Sequence, residues 1–491
     1  MASNYERGVY QQLMEVIARL DTVEKEFKKE KIEHKEDVKR LNARINVLEK
    51  ENQKLKDENQ KLKDENARLK SIINNNSSNT SLPPSTDQNK SKPSNTFNSR
   101  EKRERKQGAQ KGHKGTTLTK SDIEKKLNSG ECIHRIKKIG SGKGSYITKY
   151  VIDLEVNEVI TEIRIYADRD GKYEIPSQYY SDVTYGENVK TISVDLYSEG
   201  VMANDRIAAF INSLANDNLG LSNGSVYQFC KAFSVKTEPY IYELEEELLN
   251  AKVVATDATN VTVDGKQCYI RNFSVPRIVV YRALKSKSIN ELKKVRFLEK
   301  YTGTLIHDHE TALYHFGTEH GECNVHIIRY LRKNTEDTKN SWSDEMINLL
   351  CEMNNNRKKA IESGSKSFSA EIIRDYENRY KELIQKGRLE NKTTKHKYAK
   401  SEENALLNRM EKYQDNHLLF LHDFEVSFDD NTSERDLRKV KNREKMAGGF
   451  RKDSGHKMYC NILTMIETFK RRSMPLLKSI KQVFTGTLAM E

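Results

Sequence analysis

The feature that most constrains the fold of this chain is a heptad repeat between residues 41 and 70. Leucines recur every seven residues, and the segment ENQKLKD is repeated nearly verbatim from Glu51. With the leucines at d, asparagines fall at three successive a positions, where they favour two parallel strands in register, and each g glutamate faces an e lysine of the partner. We therefore predict that residues 1–73 form a parallel homodimeric coiled coil, with a solvated single helix as the alternative. The repeat comprises the apolar Ile45, Leu48, Leu55, Leu62 and Leu69, the a residues Asn52, Asn59 and Asn66, the g residues Glu51, Glu58 and Glu65, and the e residues Lys56, Lys63 and Lys70.

A polar linker and a basic arm follow the heptads. Residues 74–98 (NNNSSNTSLPPSTDQNKSKPSNTFN) are of low complexity, which predicts a disordered linker. Residues 99–118 contain the basic run REKRERKQGAQKGHKG, and the whole chain carries a net charge of +13, which favours a polyanionic partner. We predict that this arm contacts DNA phosphates, each contact adding salt-dependent affinity, with an ordinary solvated charge run as the alternative. The predicted phosphate contacts are Arg100, Lys102, Arg103, Arg105 and Lys106.

Length and composition narrow the class of protein. No run of about 18 apolar residues exists, and the segment MASNYERGVYQQ lacks the apolar stretch of a signal peptide. The six cysteines are scattered without a CxxC pair, as expected in a reducing compartment. At about 150 residues per domain, the chain corresponds to about three domains. We expect a multidomain α+β protein that is cytoplasmic and has no membrane partner.

Residues 119–250 have the pattern of a small β region followed by helices. Apolar residues alternate between about 144 and 168, for example at Ile152 and Leu154, which predicts strands. Residues 202–233 predict two helices with a turn around Gly220, the second helix capped by Ser222 and burying Val226, Phe229 and Cys230. This is a possible helix-turn-helix that would bind DNA, and an ordinary packed helical hairpin is the alternative.

Three carboxylates stand at the edges of predicted elements in the second half of the chain. The apolar run KVVATD ends in Asp257 and leads through a hairpin turn at Asp264-Gly265 into two further strands, so three adjacent antiparallel strands are expected. A second apolar run, GTLIHD, ends in Asp308, and the helix-like segment VSFDDNTSERDLRKVKNREK carries Glu434 in its first turns. Two aspartates and a glutamate are hard oxygen ligands suited to Mg²⁺. A pair of such ions about 3.5–4 Å apart supports phosphodiester displacement. Taken singly, each carboxylate is weak evidence, because Asp often ends strands as part of a turn.

These motifs together resemble the insertion sequence 66 family of bacterial transposases, in its Gram-positive-like branch. The resemblance runs from the coiled coil to about residue 475, through NNSSNTSLPPSTD, QKGHKG, VVATDATNVTVDGKQCYIRNFS and LIHDHETALYHFGTEHGECNVHIIRYL. It continues through ALLNRMEKYQDNHLLFLHDFEVSFDDNTSERDLRKVK and KMAGGFRKDSGHKMYCNI. Such a long series of motifs in one order makes a chance resemblance implausible.

The resemblance implies a ribonuclease H-like α/β catalytic core with an Asp-Asp-Glu site. By motif matching the catalytic and metal-binding residues are Asp257, Asp308 and Glu434, with Mg²⁺ or Mn²⁺ as cofactor. The core would comprise residues 251–334 and 423–475, separated by an α-helical insertion at 335–422 and followed by a tail at 476–491. The implied partners are double-stranded DNA, as terminal inverted repeats and as target, and the implied location is the bacterial cytoplasm, at the nucleoid.

Two smaller signatures accompany the carboxylates. Lys441 lies seven residues after Glu434 and matches the basic residue that Asp-Asp-Glu transposases keep there, and Arg438 lies on the same helix; both are expected to bind DNA. One more lysine on a basic helix is an equally weighted interpretation of Lys441. Cys323 and His326 match a Cys-x-x-His motif of several transposase lineages, but two residues are too few for a zinc site, so a structural role beside the active site is favoured.

The sequence also departs from the family. After QKGHKG only Cys132 and His134 remain where zinc ligands are usual, which makes zinc doubtful there, and VSFDDN replaces VPFDNN, so that Asp429 and Asp430 are extra carboxylates near Glu434. The favoured function is metal-dependent cleavage at terminal inverted repeats followed by 3′-hydroxyl strand transfer into target DNA. A metal-dependent nuclease of the same fold, or a non-catalytic DNA-binding dimer derived from a transposase, are the alternatives.

Overall fold

The structure, a computed structural model, describes residues 4–76, 79–80, 118–130, 132–139, 145, 147–217 and 219–490. The basic-arm residues Arg100, Lys102, Arg103, Arg105 and Lys106 therefore lie outside the described residues, as does most of the predicted linker. The chain forms two compact units. We call them the helical unit (residues 1–89, 329–346 and 382–411) and the sheet unit (residues 90–328, 347–381 and 412–491).

The protein is a multidomain, mostly helical α/β protein with one five-stranded mixed sheet. The strands are β1 (Val253–Val263), β2 (Lys266–Val275), β3 (Ile278–Leu284), β4 (Thr304–His307) and β5 (Glu319–Glu322). The helices of the described residues are α1 (Asn4–Ile73), α2 (Lys120–Ser129), α3 (Glu187–Ser198), α4 (Asn204–Leu214), α5 (Asn223–Lys236), α6 (Glu238–Leu249), α7 (Ile289–Leu292), α8 (Asn324–Thr338), α9 (Trp342–Glu362), α10 (Ala370–Thr393), α11 (Lys397–Lys412), α12 (Gln414–His422), α13 (Asn431–Ala447), α14 (Asp453–Arg471) and α15 (Leu476–Thr485).

The helical unit is built around the end of α1 and a buried carboxylate. α1 is one uninterrupted helix of 70 residues, about 105 Å long at 1.5 Å per residue. Its d-position leucines are exposed in the single chain, with Leu55 at 63%. In the same unit, Trp342 Nε1 donates a hydrogen bond of 2.7 Å to the fully buried Glu403. The predicted helix is confirmed, whereas its pairing with a second copy stays a prediction.

The predicted helices of residues 202–233 are α4 and α5. The hydroxyl of Ser222 caps α5 by accepting a hydrogen bond from the Ser225 amide at 3.1 Å. Val226 and Cys230 are fully buried, and Phe229 is half-buried against the core. The helix boundaries and the inward face are therefore confirmed, and the DNA-binding role of the pair stays a prediction.

The strands predicted between 144 and 168 are wrong. At residues 145 and 147–168, which the structure describes, no residue pairs into a sheet. Ile152 and Leu154, which form part of the alternating pattern, are 60% and 91% exposed. Alternation determines on which side of an extended chain each side chain points, but a strand also needs a neighbouring backbone to hydrogen-bond with. Among the described residues, no backbone hydrogen-bonds to this segment as a neighbouring strand.

The sheet has the order β3-β2-β1-β4-β5. β1, β2 and β3 are antiparallel neighbours, as predicted, and β4 and β5 run parallel to β1. Asp264 and Gly265 form the β1–β2 turn with φ angles of 50° and 70°, the left-handed conformation that two-residue hairpins require. α13 packs on β1 and α14 on β3, so this face of the sheet is buried under helices. The core of the sheet unit includes Phe273, Tyr281, Leu437, Tyr459 and Ile466.

Candidate active site

The register of β1 and β4 brings Asp257 and Asp308 together. Val253 pairs with Thr304 and Ala255 with Ile306, an offset of 51 residues between the parallel strands. Asp257 and Asp308 are separated by the same 51 residues, two positions beyond the last pair. Side chains two residues apart on a strand point to the same face, and neighbouring strands lie about 4.8 Å apart. The two aspartates are therefore same-face neighbours where β4 ends.

Asp257 does not end its strand, as the sequence indicated. It is the fifth residue of β1, which continues to Val263. The continuation has a physical cause, since Asp257 pairs with Asn272 of β2 and the β1–β2 hairpin extends six residues further. β4 has no such long partner and stops at His307, so Asp308 does follow a strand. The prediction placed Asp308 correctly and was wrong about the strand end at Asp257.

The pKa of Asp257 reflects its proximity to Asp308. Burial and, after it, repulsion from the Asp308 carboxylate raise the pKa of Asp257 to about 6. A hydrogen bond of 2.6 Å from the Ala258 amide to Oδ1 and the charges of Arg271 and Lys287 oppose that rise. Like charges held within a few ångströms in a partly desolvated site disfavour double ionisation. Asp257 and Asp308 therefore form a site of concentrated negative charge.

Asp430 is a third carboxylate at this place, to which the sequence gave no role. It is 4% exposed and stands immediately before α13. Burial raises its pKa well above the ordinary value, and repulsion from Asp257 and Asp308 adds to the rise. The backbone amide of Asp430 donates to Cys323 Sγ at 3.3 Å. The one signal for Asp430 in the sequence was the departure from VPFDNN to VSFDDN.

Glu434 lies one turn into α13, and its amide donates to the Asp430 carbonyl at 3.1 Å. Its side chain is half-buried, with Oε1 3.6 Å from Nε2 of the buried His326. The structure thus places Asp257, Asp308 and Asp430 close enough for their charges to raise the pKa values of Asp257 and Asp430, and Glu434 lies one turn further along α13, next to His326.

Polar contacts fix α13 to the sheet on both sides of Glu434. Asp436 accepts hydrogen bonds from Ser274 at 2.7 Å and from Arg471 at 2.6 Å. Asn272 donates to the same carboxylate at 3.3 Å and also accepts from the Asp257 amide at 3.0 Å. At the other end of the helix, Glu444 accepts from the Thr262 amide at 2.8 Å. Because buried polar groups are held by such bonds, the position of Glu434 relative to β1 is well defined.

Cys323 and His326 lie beside the carboxylates, and their arrangement does not resemble a zinc site. Cys323 is buried, and burial together with repulsion from Asp430 raises the pKa of its thiol. Nδ1 of His320, three residues before Cys323, lies 3.2 Å from His307 Nε2. Among the described residues, no group of three or more His, Cys, Asp or Glu side chains is arranged to hold a metal ion. Cys323 accepts the Asp430 amide and His326 lies beside Glu434, so both contact residues of the carboxylate group, and their structural role stays a prediction.

Basic residues form a stripe on the outer face of α13. Arg438 and Lys441 follow Glu434 by four and seven residues, a spacing that places all three on one side of a helix. Both basic side chains are exposed, and neither forms an ion pair with another described residue. The stripe is therefore available to an anionic partner.

A buried arginine beside the site was not found from the sequence. Arg271 of β2 is fully buried, donates to Thr256 Oγ1 at 3.0 Å and forms an ion pair with Glu310, which Lys287 also contacts at 3.0 Å. An isolated arginine inside a strand carries no pattern that marks it as buried. Its position opposite Ala258 is a consequence of the hairpin register.

Comparisons with known proteins give two family matches. A family model described as "Transposase IS66 family" matches residues 192–458, which include all four carboxylates described above. A second model, described as a family of unknown function (DUF6444), matches residues 24–119. No curated protein and no solved structure matches the chain. None of the helices in the described parts of the chain is long and apolar enough to cross a membrane.

Proposed function

Because the chain belongs to the IS66 family of transposases, we propose that it cleaves DNA at the terminal inverted repeats of its element and transfers the 3′-hydroxyl ends into target DNA. The observation that carries the proposal is the proximity of Asp257 on β1 to Asp308 just after β4, which the register of the two parallel strands produces and which lets Asp308 raise the pKa of Asp257. We further propose that the catalytic residues are Asp257, Asp308 and Glu434. A ribonuclease H-like core is supported by the mixed sheet, in which three antiparallel strands are followed by two parallel ones.

The residue types suit a hard divalent cation, and binding one would require the side chains to move into a coordinating arrangement, because none of the described groups is arranged to hold a metal ion as it stands. The three carboxyl groups of Asp257, Asp308 and Asp430 repel one another, and a cation bound among them would remove that repulsion. We propose that Asp257, Asp308 and Glu434 hold Mg²⁺ or Mn²⁺, ions that prefer carboxylate oxygens. Such an ion supplies electrostatic activation of the attacking oxygen and stabilisation of the leaving oxygen in phosphodiester displacement.

The residues of the chain itself position the DNA and the carboxylates. Arg438 and Lys441 would bind phosphates of the scissile strand, because they lie on the exposed side of the helix that carries Glu434. Asp436 and Glu444 hold that helix against β2 and β1, so the bound backbone stays at a constant distance from Asp257. The basic arm at 99–118 would add phosphate contacts that do not depend on sequence.

The remaining regions receive proposed roles consistent with this activity. α1 would pair with a second copy as a coiled coil, since its heptad leucines are exposed in one chain and would be buried in two. Residues 119–250 would bind the terminal repeats through α4 and α5. Residues 335–422 would be an α-helical insertion between the two parts of the core, at 251–334 and 423–475, with 476–491 as the tail. A location at the bacterial nucleoid would follow from DNA binding.

A metal-dependent nuclease is the second candidate, because the same carboxylates would cleave DNA without joining it. A non-catalytic DNA-binding dimer is less well supported. Burying repelling carboxylates lowers stability, and a module that only binds DNA gains nothing from retaining them. Joining of strands therefore distinguishes the first two candidates, and cleavage distinguishes both from the third.

The test is to incubate the purified protein with labelled element ends, Mg²⁺ and a target plasmid, and to score cleaved and joined products separately. Asp257→Asn should abolish both products while DNA binding stays almost unchanged, since the substitution removes a metal ligand and no phosphate contact. Asp264→Asn is the matched control. It makes the same change in the same hairpin, at an exposed position whose positive φ suits asparagine, and should retain full activity. Cleavage without joining would support the nuclease, and full activity of Asp257→Asn would refute the site.

A further inference from the structure

A buried hydrogen-bond network lies behind Asp308, on the side of the sheet that α12 covers. Its centre is Glu322, the last residue of β5, which is 1% exposed. The Glu322 carboxylate accepts hydrogen bonds from His309 Nδ1 at 2.6 Å and from Tyr314 at 2.5 Å. His417 of α12 lies 3.3 Å from the other carboxylate oxygen and is itself bonded to the Tyr380 hydroxyl at 2.8 Å. A buried carboxylate is tolerated where several donors satisfy it in this way.

This network holds both residues that flank Asp308. His307 is fully buried, and its Nε2 lies 3.2 Å from His320 Nδ1. His307 pairs with Glu322 across β4 and β5, so their side chains are on the same face of the sheet. His309 reaches that face as well, through its bond to Glu322. With both neighbours held on one side, Asp308 is left to project to the other side, where Asp257 stands.

The backbone at His309 is in an unusual conformation. Its φ is 70°, in the left-handed region that residues with a side chain seldom occupy. Such a conformation persists where surrounding contacts enforce it, and it occurs often at functional sites. Here the enforcing contact is the side-chain bond to Glu322. The bend at Asp308 is therefore followed by a residue whose unfavourable backbone conformation is accompanied by a buried side-chain contact to Glu322.

We propose that Glu322 and His309 are positioning residues that keep the Asp308 carboxylate turned towards Asp257 and thereby set the affinity of the site for a divalent cation. The inference rests on the proposed function, which assigns the cation to these aspartates. Neither residue contacts the reacting atoms. Partners that orient ligating groups influence metal affinity by about 10- to 100-fold.

The first measurement is Mn²⁺ binding by the full-length protein without DNA, with free Mn²⁺ followed by electron paramagnetic resonance. His309→Ala removes the donor to Glu322 and should raise the Kd for Mn²⁺ about 10- to 100-fold. His309→Asn should restore most of the affinity, because asparagine tolerates the left-handed conformation and offers an amide donor. His309→Gly relieves the backbone without restoring the bond, and should stay weak. Tyr314→Phe removes a different donor from the same carboxylate while keeping the ring, and should weaken Mn²⁺ binding in the same direction.

The second measurement is the dependence of DNA cleavage on Mg²⁺ concentration. In His309→Ala the Mg²⁺ concentration for half-maximal cleavage should rise by the same factor as the Kd, and the maximal rate at saturating Mg²⁺ should be largely recovered because all carboxylates remain. His422→Ala is the matched control. This substitution removes an exposed contact of 3.4 Å between His422 and Glu377, which also belong to the sheet unit. It should change neither the Mg²⁺ concentration for half-maximal cleavage nor the maximal rate.

Three outcomes would overturn the inference and can be told apart. If wild type binds Mn²⁺ and Asp257→Asn does not, an unchanged Kd in His309→Ala and Tyr314→Phe refutes the positioning role alone. If His309→Ala lowers cleavage equally at every Mg²⁺ concentration, the network supports folding and not metal affinity. If wild type binds no Mn²⁺, or Asp257→Asn binds it as well as wild type, the proposed metal site and the positioning role both fail.

Discussion

Replacing Asp257 by asparagine should stabilise the protein while inactivating it. Asparagine keeps the shape of the side chain and a carbonyl oxygen that can still accept the Ala258 amide, so no buried hydrogen bond is lost. It removes the negative charge that burial and Asp308 disfavour. If the Asp257 carboxylate stabilised the fold, the substitution would destabilise the protein, since truncating or neutralising a structural carboxylate usually does so.

The magnitude follows from the pKa of Asp257, about 6 in the folded protein against an ordinary 3.8. For an acid whose pKa is raised on folding, ionisation lowers the free energy of unfolding. This loss is absent below pH 3.8, grows between pH 3.8 and 6, and is complete above about pH 6. At 1.36 kcal/mol per pKa unit, the free energy of unfolding lost at pH 7 is at most about 3 kcal/mol. Asp257→Asn should recover up to that amount at pH 7 and little of it at pH 4.

Native-state hydrogen exchange of peptides covering residues 253–275 measures this change where it occurs, with divalent cations removed by chelation. The free energy of opening should rise in Asp257→Asn at pH 7, and the difference from wild type should shrink towards pH 4. Added Mg²⁺ should also reduce the difference, because the ion stabilises only the form that binds it. Asp264→Asn should behave as wild type throughout. Lower protection of these peptides in Asp257→Asn at pH 7 would refute the electrostatic reasoning.

Four further predictions concern assembly and DNA. Replacing the three a-position asparagines of α1 by isoleucine should raise thermal stability and loosen the preference for two strands, and a monomer at tens of micromolar by sedimentation of the 1–75 peptide would contradict the coiled coil. Deleting residues 99–115 should weaken binding to specific and random DNA almost equally and reduce the salt dependence measured by titration. Substituting the exposed Asn223 and Gln228 of α5 should erase the preference for terminal repeats, whereas footprints that stay specific would place the reading element elsewhere. Arg438→Ala with Lys441→Ala should weaken binding to every DNA sequence while leaving Mn²⁺ binding unchanged.

Local patterns in the sequence were sufficient to predict several elements of the sheet unit. The Asp264-Gly265 turn and the alternation on either side of it predict the β1–β2 hairpin, and Ser222 predicts the start of α5. The same kind of pattern failed between 144 and 168, because alternation contains no information about whether another strand is present. The segment with Leu154 forms no strand and is exposed.

The candidate site was predictable only in part, for a related reason. Sequence motifs identify Asp257, Asp308 and Glu434. The positions of Asp430 and Glu322 depend instead on contacts between segments that are distant in the sequence. Asp430 is brought to the aspartates by the packing of the loop before α13 on Cys323. Glu322 is a glutamate at the end of a short strand, and its partners come from the segment after β4, which holds His309 and Tyr314, and from the distant α12, which holds His417, so that no single sequence motif connects them.

α13 joins two parts of the proposed chemistry in one rigid element. Glu434 stands in its first turn, and Lys441 lies seven residues further on the same side, about 10 Å along the axis at 1.5 Å per residue. Because Asp436 and Glu444 tie the helix to neighbouring strands of the sheet, it cannot slide relative to Asp257 without breaking buried hydrogen bonds. A phosphate held at Lys441 would therefore determine which phosphodiester reaches the carboxylates. In the proposed transposase, the basic stripe thus contributes to the accuracy of the cleavage position as well as to affinity for DNA.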